Sequence, residues 1–246
     1  MTLAILSALA EEQQGIFEQL DQPQRVQHAG RSFGLGRWHG QPVVLALSRI
    51  GKVAAATTAT TLIERFGVQR IVFTGVAGGV GAGVQVGDVV VASEYLQHDM
   101  HAEPLFPAFE VPLYGRARFA CDNALTAILL EAARAGVTSA GGLFPLNPAP
   151  QVHQGLVASG DLFVSSAAQS QALLAALNAS GHEALAVEME GAAVAQVCHD
   201  YGVPFAAMRT ISDRADDSAH VDFPEFVRTV ASRYAQAILT EFVQRL

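Results

Sequence analysis

Short β-branched runs alternate with alanine-rich helical stretches along the whole chain of 246 residues, which predicts an α/β fold on a parallel or mixed sheet. Half of the residues are hydrophobic and only 15% are charged, enough apolar material for a substantial core and too little charge for disorder. Strand-like and helix-like segments never separate into different halves, and no repeat is evident. A single domain over residues 1–246 is therefore expected.

The elements follow in order. Residues 3–6 (LAIL) read as a first buried strand, and the polar opening of 10–20 (AEEQQGIFEQL) with Ile16, Phe17 and Leu20 predicts a helix after it. A Gly-Gln-Pro turn introduces a strand at 43–47 (VVLAL). The Ala/Thr-rich stretch 53–67 predicts a helix closed by Gly67. A strand at 70–74 (RIVFT) runs into the glycine-rich GVAGGV, and Gly87 precedes another at 88–92 (DVVVA). A helix is expected over 122–136, capped by Asp122 and stopped by Gly136. Strands at 155–159, 186–188 and 205–211 follow, with a helix at 189–202 between the last two. The periodicity of 224–246 predicts a long amphipathic terminal helix. Two irregular, proline-bearing zones, 98–118 and 143–151, read as long loops.

Net charge is −8 and no run of lysine and arginine occurs, which argues against a phosphate-tracking nucleic-acid surface or an anionic membrane surface. No apolar stretch approaches the roughly 20 residues of a membrane span. The N-terminal apolar run lacks a basic flank and reads as a strand rather than a signal peptide. Cys121 and Cys198 lie far apart in apolar runs without metal-ligand spacing, so buried reduced thiols and a cytoplasmic setting are expected. The eight histidines show no HExxH pattern, so no metal is expected.

Three sets of carboxylates stand where buried strands give way to loops or helices: Glu11 and Glu12, Glu188 and Glu190, and Asp213. The ends of strands form the rim where α/β proteins bind ligands, and a carboxylate in apolar surroundings is costly unless paired or functional. Each also has a structural explanation: a helix-start acid for Glu12, a pair with Arg209 for Glu190, an N-cap for Asp213. Their shared placement favours a site. The glycine-rich segment holding Ala77 and Gly78 lacks the Lys-Ser/Thr of a P-loop and the acidic ribose reader of a dinucleotide fold. By itself it fits a tight turn as well as a ligand site.

SALAEE, SRIGKVAAATTATTLI, TGVAGG, VGDVVVA, SGDLF, VEMEGAAVAQVC, VPFAAMRTISDRAD and HVDFPEF, in that order from residue 3 to about residue 240, resemble the 5′-methylthioadenosine/S-adenosylhomocysteine nucleosidases of the purine nucleoside/uridine phosphorylase superfamily. The resemblance implies a nucleoside phosphorylase-like fold with a central, partly barrel-like mixed sheet flanked by helices. It implies a purine nucleoside as partner, no cofactor, and a homodimer, to whose interface the helix at 53–63 is expected to contribute. Cleavage of an N-ribosyl bond builds positive charge on the sugar and negative charge on the leaving purine. In the roles the resemblance implies, Asp213 protonates the purine, Glu12 activates water, and Glu190 holds the ribose hydroxyls. Met189 lies against the ribose, Phe163 stacks on the purine, the backbone of Val164 reads its edge, and Ser212 orients Asp213. Leu9, Ile50 and Phe223 line the 5′-pocket, and Ala77, Gly78 and Glu188 complete the candidate set.

Related phosphorylases hold phosphate with arginines, one just before the glycine turn. Phe73 stands there instead, and a phenyl ring offers a dianion no donors. Water is therefore the expected nucleophile. Val76 replaces a serine common in these nucleosidases, which leaves Glu12 and Arg209 as the expected supports of that water. The loop from His98 to Phe119 also departs from the common pattern, and in the family this region reaches the neighbouring subunit's pocket. The alternatives are a nucleosidase for adenosine, inosine or another 5′-modified purine nucleoside, a phosphorylase, and a non-catalytic nucleoside binder.

Overall fold

A computed structural model of the protein describes residues 1–140, 149–216, 226 and 230–246. The chain runs β1 (Leu3–Ser7), β2 (Asp21–His28), β3 (Arg31–Trp38), β4 (Gln41–Leu47), α1 (Lys52–Phe66), β5 (Arg70–Gly79), β6 (Val89–Gln97) and β7 (Arg118–Ala120). It continues through α2 (Asn123–Ala140), β8 (Val152–Ser159), α3 (Ala167–Ala179), β9 (Ala184–Glu188), α4 (Gly191–Tyr201), β10 (Phe205–Asp213) and α5 (Ser232–Gln244).

All described strands join one mixed sheet. Five of them close on themselves in the order β5-β10-β6-β8-β9 and back to β5, so the sheet forms a small barrel. β1, β4, β3 and β2 extend from β5 as an open wing, and β7 pairs with β6. Strand residues alternate between two helical layers, as the two-residue period of a strand requires. Leu3, Ile5, Val89, Val91 and Met208 pack with Leu129 of α2 and Ile238 and Phe242 of α5. Ala4, Leu6, Val90, Phe73 and Ala207 pack with Ala55 and Leu62 of α1 and Val194 of α4. Burial on both faces explains why these strands read as continuous apolar runs rather than alternating ones.

Several expected elements change in extent. Residues 10–20 form two short 3-10 turns, Glu11–Gln13 and Phe17–Gln19, rather than one helix. Gly15 sits between them at φ 80°, and the Gln13 amide donates to Ile5 O and Ala46 O, so the chain is pinned to the sheet end instead of winding on. α2 continues past Gly136 to Ala140. That glycine is a crossing point and not a stop: a Cβ there would lie 2.6 Å from Ile238 Cγ1 and 2.9 Å from the Ile238 backbone. The GVAGG segment is no turn but the second half of β5, paired to β10 from Gly75 through Gly78. The hairpin β2–β3, the short β7 and helix α3 gave no signal. β2 is almost wholly exposed, so it lacks the apolar alternation that marks a strand. Gly67 and Gly202 close α1 and α4 in the left-handed conformation as expected, and the Leu125 amide donates to Asp122 Oδ1 at the start of α2. The loop around 98–118 is irregular as read, while 143–148 and the opening of the terminal helix at 224–225 and 227–229 lie outside the described residues.

Both cysteines are free and buried, and burial pushes the Cys121 thiol up to about 12, with Cys198 raised as well. None of the described helices is long and apolar enough to cross a membrane.

Candidate active site

The site originates in a break along one edge of β5. On that edge Arg70–Phe73 pair with β1, running parallel, and Gly78–Gly79 pair with β9, running antiparallel. β1 and β9 therefore point toward each other and both stop before Thr74–Ala77 is covered. The segments leaving them carry the carboxylates: Ala8 to Glu12 after β1, Met189 and Glu190 after β9. β10, on the opposite edge, ends at Asp213 after a register shift between Ile211 and Asp213. A cavity of about 440 Å³ opens here, walled by Ala8, Leu9, Glu12, Ile50, Val76, Ala77, Gly78, Leu162, Phe163, Val164, Val187, Glu188, Met189, Glu190, Ser212 and Asp213.

Glu12 is buried, and its carboxylate accepts amide hydrogens from Ala8 (2.8 Å), Leu9 (2.9 Å) and Val76 (3.1 Å). Burial raises its pKa, and the amides of Leu9, Val76 and Ala8 together with the Arg209 charge only partly offset that. The outcome is a carboxylate more basic than usual, which suits proton abstraction. Gly75 permits this seat, since a Cβ there would come within 2.9 Å of Glu12 Oε1. Glu190 accepts the Gly51 amide at 2.8 Å, and burial followed by repulsion from Glu188 lifts its pKa to about 8. Asp213 is buried and fixed on both oxygens. The Ser212 hydroxyl donates to Oδ2 at 2.7 Å and the Ala215 amide to Oδ1 at 2.8 Å. Gly78 makes room for it, because a Cβ there would lie 3.0 Å from Asp213 Oδ1. Two glycines of the GVAGG segment are thus explained by the close approach of carboxylates.

Arg209 pairs with Glu188 rather than with Glu190. Its Nη2 donates to Glu188 Oε2 at 2.7 Å, and its guanidinium lies 4.0 Å from the centre of the Phe73 ring. Ser159 Oγ and the amides of Glu190 and Gly191 also donate to Glu188. The ion pair is buried, with every strong donor satisfied by a partner, as a buried charge requires. Arg209 is 1% exposed and forms no part of the cavity wall, and it acts on Glu12 through its charge. Val76 lines the cavity, its amide donates to Glu12, and it belongs to the core cluster of Leu3, Ile5 and Val72.

The other sequence-derived positions, Leu9, Ile50, Ala77, Gly78, Phe163, Val164, Met189 and Ser212, all line the cavity, and Phe223 lies outside the described residues. Ile50, Leu162 and Phe163 are the exposed part of the wall. Reading the sequence missed Ala8, Leu162, Val187 and the backbone roles of Gly51 and Gly75. Gly51, at φ 96° just before α1, was the one with a local signal. Among the described residues, no lysine or arginine lines the cavity, and no cluster of three or more histidine, cysteine or acidic side chains is placed to hold a metal.

A closed mixed barrel with an open wing, and carboxylates gathered where the wing's first strand stops, is the arrangement of the phosphorylase superfamily, whose profile matches residues 2–244. A 5′-methylthioadenosine/S-adenosylhomocysteine nucleosidase of Chromohalobacter salexigens is 37% identical over 96% of this chain and 94% of its own length. The Neisseria meningitidis nucleosidase of the same name, solved with methylthio-immucillin-A, superposes with a TM-score of 0.88 at 35% identity, covering 100% and 99% of the two chains. A futalosine hydrolase mutant of Helicobacter pylori superposes at 0.85 with 31% identity, covering 100% of both. The chain belongs to the 5′-methylthioadenosine/S-adenosylhomocysteine nucleosidase family of that superfamily.

Proposed function

We propose that this protein hydrolyses the N-glycosidic bond of 5′-methylthioadenosine and S-adenosylhomocysteine, releasing adenine and the 5-thioribose product. The observation that carries this reading is the convergence of Glu12, Glu190 and Asp213 on one cavity whose wall, among the described residues, holds no cationic side chain. Phosphate would need such donors, whereas water needs a base. In this mechanism Asp213, oriented by Ser212, gives a proton to N7 of the purine as the bond to the sugar lengthens. Phe163 stacks on the base. Glu190 holds the ribose hydroxyls, and in its ionised form its charge stabilises the growing positive charge on the ring. Glu12 takes a proton from water as its oxygen bonds to the anomeric carbon. The C–N bonding pair leaves with adenine, and the proton from water ends on Glu12.

The test is adenine release, followed by absorbance, from methylthioadenosine, S-adenosylhomocysteine, adenosine and inosine, with and without phosphate. Turnover of the first two without phosphate is expected. Inosine as best substrate, or a requirement for phosphate with release of a ribose 1-phosphate, overturns the reading. The likeness to a futalosine hydrolase supports a second reading, a nucleosidase for a different 5′-modified purine nucleoside, and the exposed side chain of Ile50 on the cavity wall is compatible with a larger 5′-group.

The same reading takes the chain as one domain working as a homodimer in the cytoplasm. The exposed apolar side chains of Val53, Leu105 and Leu113 support a partner surface, and two buried free thiols suit a reducing compartment.

A further inference from the structure

The purine wall is a loop without regular structure. Residues 160–166, between β8 and α3, carry Leu162 and Phe163, both exposed. Their placement depends on polar ties to two other parts of the fold. The Lys52 amide donates to Asp161 Oδ1 at 2.8 Å, and the Asp161 amide donates to Asp99 Oδ2 at 2.9 Å. Lys52 Nζ closes the ring on Asp99 Oδ1 at 2.5 Å and also donates to Gln97 Oε1 at 2.9 Å. The start of α1, the end of β6 and the loop after β8 are thereby joined through three residues.

This ring adjoins the ribose side of the site. Gly51 and Lys52 offer consecutive amides at the head of α1, one to Glu190 and the next to Asp161. A displacement of Asp161 therefore pulls on the peptide that sets the Glu190 contact. Gly51 is confined as well, since a Cβ on it would lie 3.1 Å from Asp161 Oδ1. On the other side, Gly160 lies flat against the His98 ring, where a Cβ would come within 2.3 Å. Burial alone would raise the Asp99 carboxyl, but the Lys52 hydrogen bond and the Asp161 amide hold it below its usual value. Asp99 is thus charged at neutral pH. Lys52, Asp99 and Asp161 do not line the cavity.

We propose that Lys52, Asp99 and Asp161 form a polar clamp of positioning residues that fixes Phe163 and Glu190 relative to each other, so that purine and ribose are gripped at the right separation. The proposal rests on the functional reading above. A partly exposed ion pair adds little to global stability, so the clamp acts on substrate affinity and not on folding.

The test is steady-state cleavage of methylthioadenosine by Asp161→Ala, Asp161→Asn and Lys52→Met, with thermal melting of each. Asp161→Ala removes the acceptor of the Lys52 amide, and KM should rise about tenfold with kcat within about threefold of the parent. Asparagine retains an oxygen there and should restore most of the lost affinity. Lys52→Met should raise KM in the same direction, and combining it with Asp161→Ala should add less than the two separate effects. Melting temperatures should stay close to the parent's. A KM within twofold of the parent for Asp161→Ala, or asparagine as poor as alanine, overturns the clamp. So does a loss of activity that follows a loss of melting temperature. If the parent leaves methylthioadenosine intact, the functional reading fails instead, and the clamp is judged by the same ratios on whichever nucleoside is cleaved.

Discussion

Glu188 and Glu190 stand two residues apart in one acidic-apolar stretch, yet their surroundings give them opposite chemistry. Glu188 is saturated by Arg209, Ser159 and the amides at the head of α4, whereas Glu190 keeps one described donor, the Gly51 amide, and a raised pKa. Glu188, tied to a buried guanidinium, is a fixture of the structure, while Glu190 has lone pairs left to bind hydroxyls at the cavity. Asp213 is the proton donor in the proposed mechanism. Replacing it with asparagine keeps its shape and its contact with the Ala215 amide but removes the acid. We expect Asp213→Asn to bind adenine nearly as the parent does while losing at least about 100-fold in kcat, within the usual range for general acid catalysis. Calorimetric adenine binding beside a single-turnover assay checks this, and near-parental kcat would remove Asp213 from the acid role. Gly75 tests Glu12 without touching the carboxylate. An alanine there meets Glu12 Oε1 at 2.9 Å and must displace it. Gly75→Ala should therefore lower kcat by tenfold or more while leaving KM largely intact, a split readable from a single substrate titration.

Among the elements, those with a strong local signal were legible and those depending on neighbours were not. α1 and α4 announce themselves by alanine-rich periodicity and a closing glycine, and both end where Gly67 and Gly202 turn left-handed. Gly136 carries the same sequence signal and means something else, because α5 crosses α2 at that point. Helix-stop and helix-crossing glycines are identical in one dimension. The distinction is testable. Gly136→Ala improves helix propensity by up to about 1 kcal/mol, yet its Cβ would sit 2.6 Å from Ile238 Cγ1 and 2.9 Å from Ile238 backbone atoms. Overpacking of this kind costs about 1–3 kcal/mol, so we expect net destabilisation in a urea titration; a gain in stability would mean that α5 does not approach so closely. The 3-10 turns after β1 fail as a predicted helix for a related reason. Gln13 binds two strand carbonyls, a long-range tie that no local propensity records.

At the scale of the whole molecule, closing five strands into a barrel gathers three acids from residues 12, 190 and 213 around one gap in the sheet. Burying them has a consequence for stability. With a pKa lifted from 4.5 to about 8, Glu190 in the folded protein keeps a proton that the unfolded chain has already released through that interval. The folded state then binds more protons than the unfolded one, so this group's contribution makes stability fall as pH rises from about 4.5 to about 8 and level off above. Glu190→Gln keeps an acceptor for the Gly51 amide and cannot ionise. Its melting temperature should exceed the parent's by a margin that grows across that interval, and a margin independent of pH would refute the raised pKa. The fold class, the strand-end placement of the acids and the phenylalanine in place of a phosphate-binding arginine were all legible in the chain, because each is a property of local composition or of ordered motifs. The partner of Arg209, the carboxylate seats made by Gly75 and Gly78, and the clamp joining Lys52 to Asp99 and Asp161 were decided only by tertiary structure. Those contacts link residues far apart in sequence, and strand register together with barrel closure alone determines which of them meet.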